Sequence, residues 1–330
     1  MRPREFVVPV LSTLARPSLG EAVGLASGTY CGPIVDSHVH LFDPTRPQGV
    51  PWPLPGDPMY ARTTPDTVEK IARPLGVVGA IAVEASPWHA DNFWVLDQVR
   101  ASPFMLGFVG NLSPGTTGFA DDLERLGAED LFLGIRYGNL WERDMGESMK
   151  RPAFLADLKR LQQSGRSLDT ANPDPQLIVS TLALSQLIPD LRIVIDHLPS
   201  AAVPSNDISA FTRNLTELAQ NQNVFMKLSE IPQKVDGHYR FDLGFYQAKL
   251  DALWDIFGED RIVFGSDFPN SIPVGTPSQI YSLVHSYLAG KSIQAQEKVF
   301  FHNSRQLYRW HAREGGYAGP AGSVEVRQDG

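Results

Sequence analysis

Two hydrophobic rhythms alternate along this chain. Eight short apolar segments rich in β-branched residues, at 34–41, 77–85, 104–112, 131–137, 167–171, 191–198, 224–229 and 261–266, read as strands. Segments 121–126, 152–163, 175–188, 209–219, 245–257 and 277–288 instead repeat apolar residues at spacings of three and four, the mark of helices with one buried face. Strands that alternate with helices predict a parallel sheet, and eight such units predict an α/β fold closed as a (β/α)8 barrel. An open doubly wound sheet is the rival architecture, but no glycine-rich turn follows the first strand, where a dinucleotide site would need one. The fifth segment, Ser167-Leu168-Asp169-Thr170-Ala171, carries the weakest pattern because it is short and barely apolar.

Two regions break the rhythm. Segment 43–65 holds seven prolines among 23 residues, together with Trp52, Met59 and Tyr60, and predicts a long ordered loop that shapes a pocket. Segment 301–308 reads as a closing helix. The expected organisation is an N-terminal arm or export signal over 1–32, one barrel over 33–311, and a disordered glycine-rich and charged tail over 312–330. Arg2 and Arg4 before the apolar run 6–14 give the outline of an export signal. Pro9, Arg16 and Glu21 spoil that outline, so a retained arm and a cytoplasmic protein are the preferred reading, with export left open.

Composition narrows the partners. With 42% hydrophobic and 20% charged residues the chain can bury a large core. A net charge of −8 without a lysine and arginine block disfavours nucleic acid and anionic membranes, and no run is long enough to span a bilayer. A small-molecule substrate is the expected partner, while self-association into a homo-oligomer is left open. The single cysteine, Cys31, excludes an internal disulfide framework.

Candidate chemistry gathers at the ends of the apolar runs, where a barrel of this type builds its active site. The first strand reads Ile34-Val35-Asp36-Ser37-His38-Val39-His40, and strict alternation would put Asp36, His38 and His40 on one face. The second strand ends with Glu84, the fourth with Arg136 and Tyr137, the fifth offers Asp169, the sixth Asp196 and His197, the seventh Lys227 and Glu230, and the eighth Asp267. Two imidazoles on one strand end can grip a metal or polarise a carbonyl oxygen. Asp267, where Phe264-Gly265-Ser266 runs into Phe268-Pro269, suits a metal ligand, a general base, or a turn-capping residue. Arg136 can hold a polar substrate group by its planar fork or form a rim salt bridge, and Lys227 and Glu230 can pair with each other.

These motifs resemble the amidohydrolase superfamily, in its branch of aldonolactonase-like and 2-pyrone-4,6-dicarboxylate-lactonase-like proteins. The resemblance runs from Pro33 to Trp310 and rests on Asp36-Ser37-His38-Val39-His40, Gly134-Ile135-Arg136, Ile195-Asp196-His197-Leu198, Lys227-Leu228-Ser229 and Gly265-Ser266-Asp267-Phe268-Pro269, in that order. It implies hydrolysis of a small sugar-acid, pyrone or muconate-type lactone. Asp267 would deprotonate the attacking water, and His38, His40 and His197 would polarise the carbonyl directly or through one metal. Arg136, Tyr137, Glu84 and Lys227 would contact the substrate. The chain departs from the superfamily's binuclear pattern, because Arg136 stands where a fourth-strand lysine or glutamate is expected and Asp169 where a fifth-strand histidine is. One zinc held by His38, His40 and Asp267, or catalysis without metal, are the two readings that remain. Related barrels that are metal-dependent decarboxylases share His38, His40, His197 and Asp267, but add a fifth-strand histidine that this chain lacks; a non-catalytic binding barrel is the third reading.

Overall fold

The computed structural model describes residues 30–317. Eight parallel strands form one sheet in strict chain order: β1 (Ile34–Val39), β2 (Val77–Val83), β3 (Met105–Gly110), β4 (Phe132–Arg136), β5 (Ser167–Thr170), β6 (Ile193–Ile195), β7 (Val224–Leu228) and β8 (Ile262–Phe264). The sheet closes between its edges just beyond β8. There Asp267 N donates to His38 O at 2.9 Å and His40 N donates to Phe268 O at 2.8 Å. The expected eight strands are all present, including the weak fifth, whose ladder to β4 pairs Arg136 with Asp169.

Helices alternate with the strands as the apolar spacing predicts, among them α3 (Phe119–Gly127), α5 (Pro152–Gln163), α6 (Pro175–Leu187), α7 (Ile208–Leu218), α8 (Leu243–Phe257) and α9 (Pro277–Leu288). Several begin with proline in the first turn, where the missing N–H is no loss, and Thr276 closes a capping box with Gln279 at the start of α9. Two helices that the periodicity does not reveal, α1 (Pro65–Ala72) and α2 (Asp91–Ala101), complete the first two units.

Two apolar layers result. One lies between strands and helices, and the other fills the barrel with Val35, Ile81, Val109, Leu133, Val194 and Val263. Phe301, Leu307, Tyr308 and Trp310 join the interior layer, so the C-terminal segment plugs the barrel, and Arg192 ahead of β6 anchors it by donating to Leu307 O at 2.6 Å. That end is closed, which leaves the opposite, C-terminal ends of the strands as the open face. The expected tail from Ala312 is held at its start: Arg313 donates to Val99 O and Ser102 O at 2.6 Å each. The expected arm falls almost wholly on residues 1–29, outside the described residues.

Candidate active site

The histidine pair owes its position to an irregularity in β1. The ladder to β2 shifts register between Asp36 and Val39, and the shift breaks the alternation that would have put three polar residues on one face. Asp36 turns outward and accepts from Tyr281 of α9 at 2.6 Å and from Ser266 N at 2.9 Å. It ties β1 to β8 and does not join the site, a correction to the simple alternation. His38 and His40 turn inward, their rings 4.9 Å apart at right angles, and His197 from the end of β6 stacks on His38 at 4.5 Å.

Asp267 completes the group. Its Oδ1 lies 3.1 Å from His40 Nε2 and 3.6 Å from His38 Nε2, and its Oδ2 accepts from Asn270 at 2.6 Å. His197, Glu230 and Asp267 all have left-handed backbone, at φ 55°, 49° and 58°, a conformation that costs a non-glycine residue on the order of 1 kcal/mol and recurs at functional sites. These strand ends accept strain and aim three side chains at one point.

Each histidine is held differently. His40 Nδ1 lies 3.0 Å from the Val83 carbonyl oxygen, which only accepts, so Nδ1 carries a proton and Nε2 is the nitrogen that faces Asp267. A carboxylate 3.1 Å from Nε2 holds this edge of the ring as a place for a proton shared between the two groups. His197 Nδ1 bonds Ser229 Oγ at 2.7 Å. Burial, reinforced by the nearby charge of Lys227, holds His38 well below the ordinary imidazole value, and burial lowers His197 as well. Both rings are neutral in the folded chain at neutral pH.

Beneath the histidines lies a buried ionic network. The Lys227 ammonium sits 2.8 Å from Asp196 Oδ1 and 3.0 Å from Asp169 Oδ2, and Tyr308 OH donates to Asp169 Oδ2 at 2.6 Å. Burial opposes the lysine charge, but the two carboxylates outweigh it and keep the ammonium protonated. Between those carboxylates the proton affinities split. Burial pushes Asp169 up to about 6 despite its lysine partner, whereas for Asp196 the Lys227 ammonium at 2.8 Å overcomes burial and holds the carboxyl well below the carboxylate range.

At the mouth, Arg136 Nε pairs with Glu84 Oε1 at 3.2 Å, and Trp141 donates its indole N–H to Glu84 Oε2 at 3.0 Å. A cavity of about 280 Å3, lined by Ser200, Glu230, Tyr239, Asp267, Asn270 and Ser271 among others, opens beside the catalytic candidates. Glu230 accepts from Asn270 at 3.1 Å, and burial pushes it up to about 7. On the other side Trp52, carried by the proline-rich loop, stands edge-on to His40 at 5.6 Å.

The structure thus brings His38, His40, His197, Asp267, Arg136 and Glu84 together. Two expected substrate contacts lie elsewhere. Tyr137 points away, bonding Ser148 Oγ at 2.7 Å and packing on Phe154, because the residue after the inward Arg136 faces the helices. Lys227 is sealed under the histidines by Asp169 and Asp196 and does not pair with Glu230. Sequence reasoning gave no role to Asn270, Trp141, Ser229 or Tyr308. Of these only Asn270, three residues after Asp267 in the same turn, carried a local signal.

Comparison with known proteins places this arrangement. The amidohydrolase family model matches residues 35–310. An L-fucono-1,5-lactonase of Burkholderia ambifaria is 28% identical over 240 residues, covering 72% of this chain and 80% of that protein. A Burkholderia multivorans amidohydrolase solved with bound zinc superposes with a TM-score of 0.75 at 21% identity, over 85% of this chain and 100% of that one. A 2,6-dihydroxybenzoate decarboxylase from Rhizobium superposes with a TM-score of 0.60 at 14% identity, over 84% and 99% of the two chains. The last two likenesses show the fold alone. The family match spans the barrel and every strand-end residue described above: this chain belongs to the amidohydrolase family.

Proposed function

We propose that the enzyme opens a neutral, polyhydroxylated sugar-acid lactone by direct attack of water. The observation that carries the reading is Asp267 Oδ1 set 3.1 Å from His40 Nε2 at the edge of the cavity. A proton taken from water is shared by these two acceptors, so His40 assists the base, a role different from the carbonyl polarisation expected from its motif. His38 and His197, both neutral, serve the developing oxyanion as N–H donors. Arg136 and Lys227 are already committed to carboxylates, so neither offers a free cation to a substrate carboxylate, whereas Glu230, Asn270 and Ser200 suit hydroxyl groups. The name of the Burkholderia ambifaria relative supports the same substrate class.

The zinc reading can be tested on donor chemistry. His38, His40 and Asp267 offer ligand atoms within 4.8 Å of one another. An ion needs a lone pair from each ring, and His40 Nε2 supplies one. His38 fits poorly, because its two nitrogens lie 3.2 Å from the Lys227 ammonium and 3.3 Å from the Arg136 guanidinium, cations that would repel the ion. No step is routed through a metal in this reading. The decarboxylase alternative calls for a fifth-strand metal ligand, and Asp169 at that place is consumed by Lys227 and Tyr308.

A pH-indicator screen of sugar lactones, pyrone lactones and muconate lactones tests the proposal, with Asp267→Asn as control. Acid release from sugar lactones that vanishes in the variant is expected. Turnover confined to the pyrone or muconate compounds would refute the substrate class, and release of carbon dioxide from an aromatic acid would refute the reaction.

A further inference from the structure

Lys227 is locked on three sides. Its ammonium touches Asp196 Oδ1, Asp169 Oδ2 and His38 Nδ1, the last at 3.2 Å, and the side chain is fully buried. Tyr308 in turn fixes Asp169 from below. An ammonium has three N–H groups and no lone pair, so whatever lies against it must accept. His38 Nδ1 therefore presents its lone pair, and a neutral ring then carries its proton on Nε2. In the opposite tautomer an N–H would meet the ammonium head-on, and its only carboxylate outlet, Asp196 Oδ1, lies 3.6 Å away, beyond hydrogen-bond length.

Nε2 has a competing donor in Arg136 at 3.3 Å. Arg136 is the more loosely held of the two cations, with Glu84 at 3.2 Å and Asp196 no nearer than 3.9 Å, whereas two carboxylates at 2.8 and 3.0 Å set the position of Lys227. With Lys227 dictating the tautomer, Nε2–H of His38 lies on the side of Asp267, 3.6 Å from its Oδ1.

We propose that Lys227, braced by Asp169 and Tyr308, is a positioning residue that fixes His38 as an Nε2–H donor to the lactone carbonyl and withholds this ring from metal coordination. The kinetic consequence rests on the lactonase reading; the tautomer does not.

Nitrogen-15 NMR of the histidine rings in the full-length protein tests the proposal, with His38 signals assigned by their loss in His38→Gln. The expected result is an unprotonated Nδ1 and a protonated Nε2 at His38, both unmoved by added zinc. In Lys227→Met the proton should move to Nδ1, and kcat should fall about 100-fold with KM unchanged. If that variant does not fold, Lys227→Met/Asp169→Asn, which removes the ion pair as a unit, carries the same expectation. A proton on Nδ1 in the unsubstituted protein, or a zinc-induced shift of either His38 nitrogen, would overturn the assignment. The expected tautomer without turnover of any lactone would uphold it and refute the reaction instead.

Discussion

The floor and the mouth of this barrel use the same chemical groups to opposite ends. On the floor, Lys227, Asp169, Asp196 and Tyr308 are sealed from solvent and bond one another at 2.6 to 3.0 Å. At the mouth, Glu84 and Arg136 form a looser ion pair, 3.2 Å apart and 5% and 7% exposed, which shares Glu84 with the indole of Trp141. Buried charge pairs contribute little net stability, because desolvation offsets their attraction, yet removing one partner is costly. The floor therefore holds one geometry rigidly, and the mouth, where hydration and substrate hydroxyls can replace each contact, is where recognition can occur. Asp267 stands at the junction, bonded on one side to the histidines and on the other to Asn270.

The junction should give the largest effect. Asp267→Asn keeps the shape of the side chain and an oxygen that can accept from Asn270, so the fold should survive while the proton from water has nowhere to go. The expected loss in kcat is roughly 1000-fold, about 4 kcal/mol of barrier, read by steady-state kinetics beside an unchanged thermal midpoint. Lys227→Met attacks the floor and should destabilise the protein by roughly 3 kcal/mol in urea unfolding, near the low end for a broken buried pair. The cost stays at that end because Asp169, already pushed up to about 6, can take up a proton once its partner is gone. An equal cost for Arg136→Met would erase the distinction between floor and mouth. At the mouth, Arg136→Lys should raise KM about tenfold, since a lysine cannot hold Glu84 and substrate with one planar fork.

The same division explains how much was legible in the sequence. The strands other than the weak fifth could be found because strands buried on both faces read as near-continuous apolar runs, and the polar residues ending most of these runs marked the open face. His38, His40, His197 and Asp267 were legible for that reason. The orientation of Asp36 was not, because the register shift in β1 leaves no mark in the sequence and the partners that hold Asp36, Ser266 and Tyr281, lie more than 200 residues away. Lys227 looked like a substrate contact because a lysine near a strand end normally reaches solvent. What inverts its role is a partner on β5, another on β6, and a tyrosine from the C-terminal plug. Helix α1 escaped detection because it is short and starts at the last proline of the proline-rich loop, although Val68, Ile71 and Ala72 recur at helical spacing, and α2 because its apolar residues form no clean stripe.

The smallest effect lies in the pH dependence of stability, and it separates mouth from floor by subtraction. Glu230 has its folded-state value pushed up to about 7 by burial, above the ordinary glutamate value of 4.5. Between those two values this group binds more protons in the folded chain than in the unfolded one, so its contribution to stability is greatest at the acidic end and is lost as pH rises through about 7. Asp169, pushed up to about 6, adds a slope of the same sign, and the lowered His38 and His197 add slopes of the opposite sign. In Glu230→Gln the amide oxygen still accepts from Asn270, the proton equilibrium of this one group is gone, and the slopes of the others remain. Urea midpoints of both proteins at about pH 5 and about pH 8 should show the unsubstituted protein losing more stability over that interval than the variant. Equal losses would mean that Glu230 stays ionised in its cavity, in which case the mouth is better hydrated than its lining implies and its carboxylate would meet substrate hydroxyls as an acceptor only.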